Sequence, residues 1–254
     1  MTTLVAPAKL TWFLEVTGRR EDGYHELRSE MSSLELADVL EVDENGEGLS
    51  VAGPYAAGVP RDGSDLVTRA LALVARRAGV HLVKSIPVGG GLGGGSADAA
   101  AILRWAGGVS PEVALQLGGD VPFCQVGGHA LVEGVGERVS PLPGDVRPVT
   151  VMWPNFPLNT GACYRAYDEM IESGWRPRRE NHLEEPAVRV EPRLGRVLAW
   201  LRSEWGHEVS LAGSGSSMFV AGHVGSPRDT WDVEGPEGPV RFCQTTTAPR
   251  GAPE

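Results

Sequence analysis

Lysine is nearly missing from this chain. Its 254 residues carry 23 Lys and Arg in total, yet only Lys9 and Lys84 are lysines. A generic surface cation is therefore written as Arg, and a retained Lys suggests a point charge that a guanidinium cannot replace. Cysteine is also scarce. Cys124, Cys163 and Cys243 are odd in number, widely spaced and free of any CxxC pattern. That excludes a disulfide framework or a zinc site and fits a reducing cytoplasm. No apolar run approaches the ~18 residues of a membrane span, and Pro7, Lys9 and Glu15 break up the amino-terminal MTTLVAPAKLTWFLEV, so neither a signal peptide nor a membrane partner is expected. A basic field is lacking too: the net charge is −10 and the arginines are dispersed. Nucleic acid is thereby a poor partner.

What is present suits an ordinary globular protein. Leu10, Trp12, Leu14 and Val16 alternate with Thr11, Phe13 and Glu15, which is strand period, and Lys9 shares the face of Thr11. RREDGY (residues 19–24) reads as a turn, and more strand material follows it. Ser64 is the expected cap of a helix ended by Gly79, and VHLVKSI the next strand. Ser96 is the expected N-cap of ADAAAILRWA. Pro111 opens a short helix, VPFCQ and HALVEGV read as strands, and Thr160 is the expected cap of a helix over residues 161–172. Leu194, Val197, Leu198, Leu201 and Trp205 form a late helical stripe, and VSLAG and SSMFVAG flank a Gly-Ser turn. Residues 225–239 read as loop. Helices and strands mix without a βαβ rhythm, so the expected class is α+β. SPLPGDVRP (residues 140–148) is the best boundary between domains 1–147 and 148–254.

The chemistry concentrates in KSIPVGGGLGGGSADAA, where six of the seven residues 89–95 are glycine. A strand, a glycine-rich loop and a helix start together form an anion site: unpaired helix amides carry partial positive charge, and glycine lets N–H groups approach phosphate oxygens. The P-loop pattern needs a Lys after its last glycine, whereas Lys84 precedes the loop. Gly89, Gly91 and Gly94 satisfy GxGxxG, but a dinucleotide fold needs a strand where residues 110–117 read as helix. A flexible linker is the bland alternative. A nucleoside triphosphate is the better occupant.

PVGGGLGGGSADA (residues 87–99) resembles the ATP loop of the GHMP kinase superfamily. Three further stretches agree in order: PAKLTWFLEVTGRREDGYHEL (7–27), GGDVPFCQVGGHALVEGVGE (119–137) and LAGSGSSMF (211–219). Together they resemble the 4-diphosphocytidyl-2-C-methyl-D-erythritol kinase family of the non-mevalonate isoprenoid pathway, over roughly residues 5–220. The resemblance implies a two-domain GHMP fold with the active site in the interdomain cleft. It implies ATP and Mg²⁺ as cofactors and a cytidine diphosphate-linked methylerythritol as small-molecule substrate, with the γ-phosphoryl passing to the 2-hydroxyl. A monomer or weak homodimer is expected.

Carried over by motif, the resemblance implies Lys9 and Asp120 as catalytic residues. It implies an ATP loop of Pro87, Gly89, Gly90, Gly91, Leu92, Gly93, Gly94, Gly95, Ser96 and Ala97, with Ser96 also a Mg²⁺ contact. Substrate would meet Thr11, Tyr24, His25, Gly213, Ser214 and Gly215, with Tyr24 and His25 as the cytosine-recognising pair. The residue types suit the chemistry, since an alcohol needs its proton accepted and a transferring phosphoryl needs a compact cation. Read without the resemblance, Lys9 is a solvated strand lysine, Asp120 and His25 are turn residues, Asp98 complements a helix dipole, Lys84 is structural and GSGS is a hairpin turn.

Two positions depart from the family. Thr11 stands where Asn is usual, and Asn181-His182 where Asn-Asp is usual. The stretch over residues 43–60 looks abbreviated, and the segment after Phe219 looks shortened. Another small alcohol as substrate, or a non-catalytic nucleotide-binding relative, are the alternatives these departures leave.

Overall fold

A computed structural model describes residues 1–206, 208–225 and 230–249. Two long strands dominate it. β1 (Thr2–Arg19) and β2 (His25–Asp43) form an antiparallel hairpin whose tip is the expected turn, with Gly23 at φ 87°. The remaining strands are β3 (Leu49–Ala52), β4 (Gly79–Val83), β5 (His129–Gly134), β6 (Arg138–Pro141), β7 (Pro148–Pro154), β8 (Ser210–Leu211), β9 (Met218–Ala221), β10 (Thr230–Gly235) and β11 (Gly238–Ala248). The helices are α1 (Leu66–Leu73), α2 (Gly94–Trp105), α3 (Pro111–Ala114), α4 (Val121–Val126), α5 (Thr160–Glu172), α6 (Glu184–Val190) and α7 (Pro192–Trp205). The architecture is α+β, as expected. Among the described residues, no helix is long and apolar enough to cross a membrane.

β2 is the hub. Beyond β1, it pairs with β5 over residues 27–32, with β11 at Ser33 and Leu34, and with β4 over residues 39–43. Alanine-rich α2 lays Ala97 and Ala99 to Leu103 against Leu40, Val42, Leu82 and Phe123. A second cluster packs the α7 stripe Leu194, Val197, Leu198 and Leu201 on Met152 and Phe242. A third draws Leu10, Ile86 and Leu92 together with Val149, Ala212 and Phe219. Each buried Leu or Phe there removes roughly 1.5–3 kcal/mol of apolar surface cost.

Several local expectations shift. VPFCQ is helix α4, not a strand, with Asp120 as its N-cap and Pro122 in its first turn. A five-residue apolar run fits a buried helix as well as a strand, and the Asp-x-Pro start favours the helix. The caps move by one residue: Asp65 accepts from the Thr68 amide and Asn159 from Ala162, while Ser64 binds Asp62 and Thr160 is already helical. α1 also stops at Leu73, before Gly79. Ser96 is the third residue of α2, whose N-cap is left-handed Gly93. Of the stretch read as loop, residues 226–229 lie outside the described residues, and residues 230–235 are strand β10, paired with β11. β11 itself lies between β2 and β7, with Val240 and Phe242 fully buried.

Candidate active site

The glycine loop bridges β4 and α2 and is tied down on three sides. Leu92 O accepts from the Lys9 amide (2.9 Å), Gly90 O from Ser217 (2.9 Å) and Gly89 O from Leu158 (3.3 Å). Close approach explains the bareness at two positions. At Gly93, with φ 67°, a Cβ would lie 2.7 Å from Lys9 Cγ; at Gly91, with φ 80°, it would lie 2.5 Å from Ala212 O. The loop is thus pressed between Lys9 and the 212–215 turn. Its open side faces a cavity of about 300 Å³ lined by Pro87, Gly89 to Gly91, Gly93 to Ser96 and Asp98. Leu92 and Ala97, expected in the ATP loop, are buried in the core and contribute backbone and packing instead.

Asp120 ends the turn that enters α4. Its side chain caps no amide of that helix, contrary to the plain turn reading, and is 34% exposed, with Oδ2 3.5 Å from Lys9 Nζ. Lys9 is buried and donates to Thr11 Oγ1 at 3.0 Å. Gly213 makes room for that ammonium, since a Cβ there would stand 3.1 Å from Nζ. Asn181 fixes the turn by donating to Leu211 O (2.8 Å) and Gly213 O (2.7 Å). Ser214 bonds Thr160 through the two hydroxyls at 2.8 Å. Thr11 and Gly213 therefore border Lys9 while Ser214 is held by Thr160, and none of these, nor Gly215, lines either cavity.

A second cavity, about 860 Å³, opens on the other side of Asp120, between the β1–β2 turn and α5. His25 is enclosed there. Its Nε2 lies 2.7 Å from Asp168 Oδ1, and its ring stacks on Tyr164 with centroids 4.7 Å apart at 22°. Arg19 Nη1 reaches Asp168 Oδ2 at 3.3 Å. Tyr24 stands at the mouth, 66% exposed. Burial first, then the charge of Asp120, pushes the Tyr164 phenol up, so it stays neutral. Asp120 and Thr160 line both cavities.

Behind the glycine loop, Lys84 is fully enclosed between Asp38 and Asp98, with Nζ 2.6 Å from Asp98 Oδ2. Asp38 Oδ1 also accepts from the Ile86 amide at 2.8 Å. Asp98 is less well served: its Oδ1 is buried without a partner. Burial pushes its carboxyl up, against the pull of Lys84 and with the push of Asp38. Among the described residues, no group of three or more His, Cys, Asp or Glu converges as a protein-held metal would require.

The chain matches the profile of the GHMP kinases N terminal domain over residues 65–128. A protein of Paracoccus denitrificans named 4-diphosphocytidyl-2-C-methyl-D-erythritol kinase is 38% identical over 231 residues, covering 84% of each chain. The chain belongs to the 4-diphosphocytidyl-2-C-methyl-D-erythritol kinase family. The Thermus thermophilus protein of the same name is 37% identical over 241 residues, 85% of this chain and 86% of that one. A solved 4-(cytidine 5'-diphospho)-2C-methyl-D-erythritol kinase superposes with a TM-score of 0.69 at 33% identity, covering 97% of this chain and all of that one. Within a kinase of this family, the residues that the sequence did not point to are Asp168, Tyr164 and Thr160. Tyr164 and Asp168 stand one helical turn apart on α5, but nothing in the sequence tells that His25 meets them.

Proposed function

We propose that this protein transfers the γ-phosphoryl group of ATP to the 2-hydroxyl of 4-diphosphocytidyl-2-C-methyl-D-erythritol. One observation carries the reading: a glycine-cradled cavity and an aromatic-lined cavity meet at a single carboxylate, Asp120, with a buried ammonium behind it. Donor and acceptor then approach Asp120 from opposite sides. The unpaired first amides of α2 receive the triphosphate, and Asp120 accepts or orients the acceptor hydroxyl. Lys9 stands behind Asp120 and offsets charge on the transferring phosphoryl. His25 and Tyr164 hold a pyrimidine edge and face. Domains 1–147 and 148–254 supply the two walls of the cleft.

Mg²⁺ is part of the proposal. Its usual manner is one or two protein oxygens plus phosphate oxygens, and the half-buried Ser96, beside the turn leading to Asp120, supplies a donor of that kind. When bound, the ion neutralises phosphate charge. The family departures favour no other acceptor: Thr11 is spent on Lys9, and His182 accepts from the Val16 amide at 3.1 Å. An ADP-release assay decides. Turnover with the cytidyl substrate alone supports the proposal; turnover only with another small alcohol, or ATP binding without turnover, sinks it.

A further inference from the structure

We infer that Asp168 is a positioning residue that sets base selectivity, by fixing which nitrogen of His25 carries its proton. The inference rests on the proposed cytidyl acceptor. An ionised carboxylate only accepts, so the His25 nitrogen 2.7 Å from Asp168 Oδ1, Nε2, must be the N–H. The other oxygen of Asp168 is engaged by Arg19 at 3.3 Å, which steadies the carboxylate against turning away. Stacking on Tyr164 and edge contact with Tyr167, 6.1 Å between centroids, leave the imidazole a single orientation. No described residue bonds Nδ1. In the neutral ring that atom is bare, an acceptor lining the acceptor cavity.

An acceptor at that place discriminates between pyrimidines. Cytosine presents an amino donor at its fourth position, where uracil presents a carbonyl acceptor. A bare Nδ1 pairs with the first and faces the second lone pair to lone pair, an unpaired contact in a half-enclosed site. The opposite tautomer would reverse the choice. Asparagine at position 168 no longer imposes either one, because its amide both donates and accepts.

The experiment compares wild type with Asp168→Asn, using the cytidine-bearing acceptor and its uridine counterpart at pH 8.5, about two units above the ordinary imidazole value. The ratio of kcat/KM for the two acceptors is expected to fall roughly tenfold or more in the variant, as one mispaired hydrogen bond implies. KM for ATP should stay put. Glu169→Gln, which removes the neighbouring exposed carboxylate, controls for charge and should leave the ratio unchanged. Nitrogen NMR of the imidazole, assigned by its loss in His25→Gln, provides a readout independent of turnover: wild type should show Nε2 protonated and Nδ1 bare, and Asp168→Asn a mixture. A protonated Nδ1 in the wild type, or an unchanged acceptor ratio in Asp168→Asn, overturns the inference. A wild type inactive on both acceptors defeats the functional reading instead, while the imidazole spectrum still tests the role of Asp168.

Discussion

Lys9 Nζ and Asp120 Oδ2 stand 3.5 Å apart, the lysine side chain 6% exposed and the carboxylate 34%. One partner is therefore walled in by protein and the other open to both cavities. Such a pair has a direction: the ammonium conditions the carboxylate, and the carboxylate meets the substrate.

Asp120→Asn should accordingly fold and bind ATP as the wild type does, because the side chain supports no cap of α4. Its kcat should fall by roughly 10²–10⁴, the usual contribution of a positioned acid or base. Steady-state kinetics beside calorimetric ATP titration checks this; near-wild-type kcat refutes the role.

The walls around Lys9 make a second prediction. Its stem passes 2.7 Å from where a Cβ on Gly93 would be, and its ammonium 3.1 Å from one on Gly213. A guanidinium is too broad for that slot. Lys9→Arg should therefore lose at least about a hundredfold in kcat, much as Lys9→Met does. An active Lys9→Arg enzyme would mean that any nearby cation suffices.

Glycine substitutions separate the two tasks of the loop. Gly93→Ala forces a side chain into a left-handed conformation and against Lys9, so it should cost about 1–2 kcal/mol of stability and lower kcat. At Gly95 the backbone is ordinary, and a Cβ meets only Leu66, at 3.3 Å. Gly95→Val should leave the melting temperature within a few degrees while raising KM for ATP about tenfold or more, by crowding the phosphates. Thermal melts and ATP kinetics on both variants read out the contrast.

These residues also mark how far the sequence reaches. The strand, glycine loop and helix of the phosphate cradle are written in consecutive residues and could be read there, whereas Lys9 and Asp120 were singled out only through the family resemblance, since alone they read as a strand lysine and a turn aspartate. The identity of α4 was not, since a short apolar run has no period, although Asp120 followed by Pro122 carried a start signal. β10 alternates Trp231 and Val233 with Asp232 and Glu234, a strand period masked by the Gly-Pro turn after it. Asp168 and Tyr164 were beyond reach. Their meaning comes from His25, which lies 143 residues from Asp168 and is brought there only by the fold.

Lys84, the other lysine, belongs to stability. It is buried with two carboxylates, so Lys84→Met should cost about 3–5 kcal/mol by leaving Asp38 and Asp98 unpaired. Asp98→Asn should cost less, because Asp38 retains Lys84 and the Ile86 amide. The two carboxylates also predict a pH dependence with a definite sign. Burial raises the Asp98 carboxyl above its ordinary value of 3.8. Above that value the unfolded chain has released a proton that the folded protein still holds. Stability then falls as pH rises, since the folded state binds more protons. Asn at position 98 has no such proton. The stability advantage of wild type over Asp98→Asn should therefore be largest near pH 4 and shrink steadily toward pH 8. Urea melts of both proteins across that range measure it, and a gap that widens with pH would show that Lys84 instead holds Asp98 ionised.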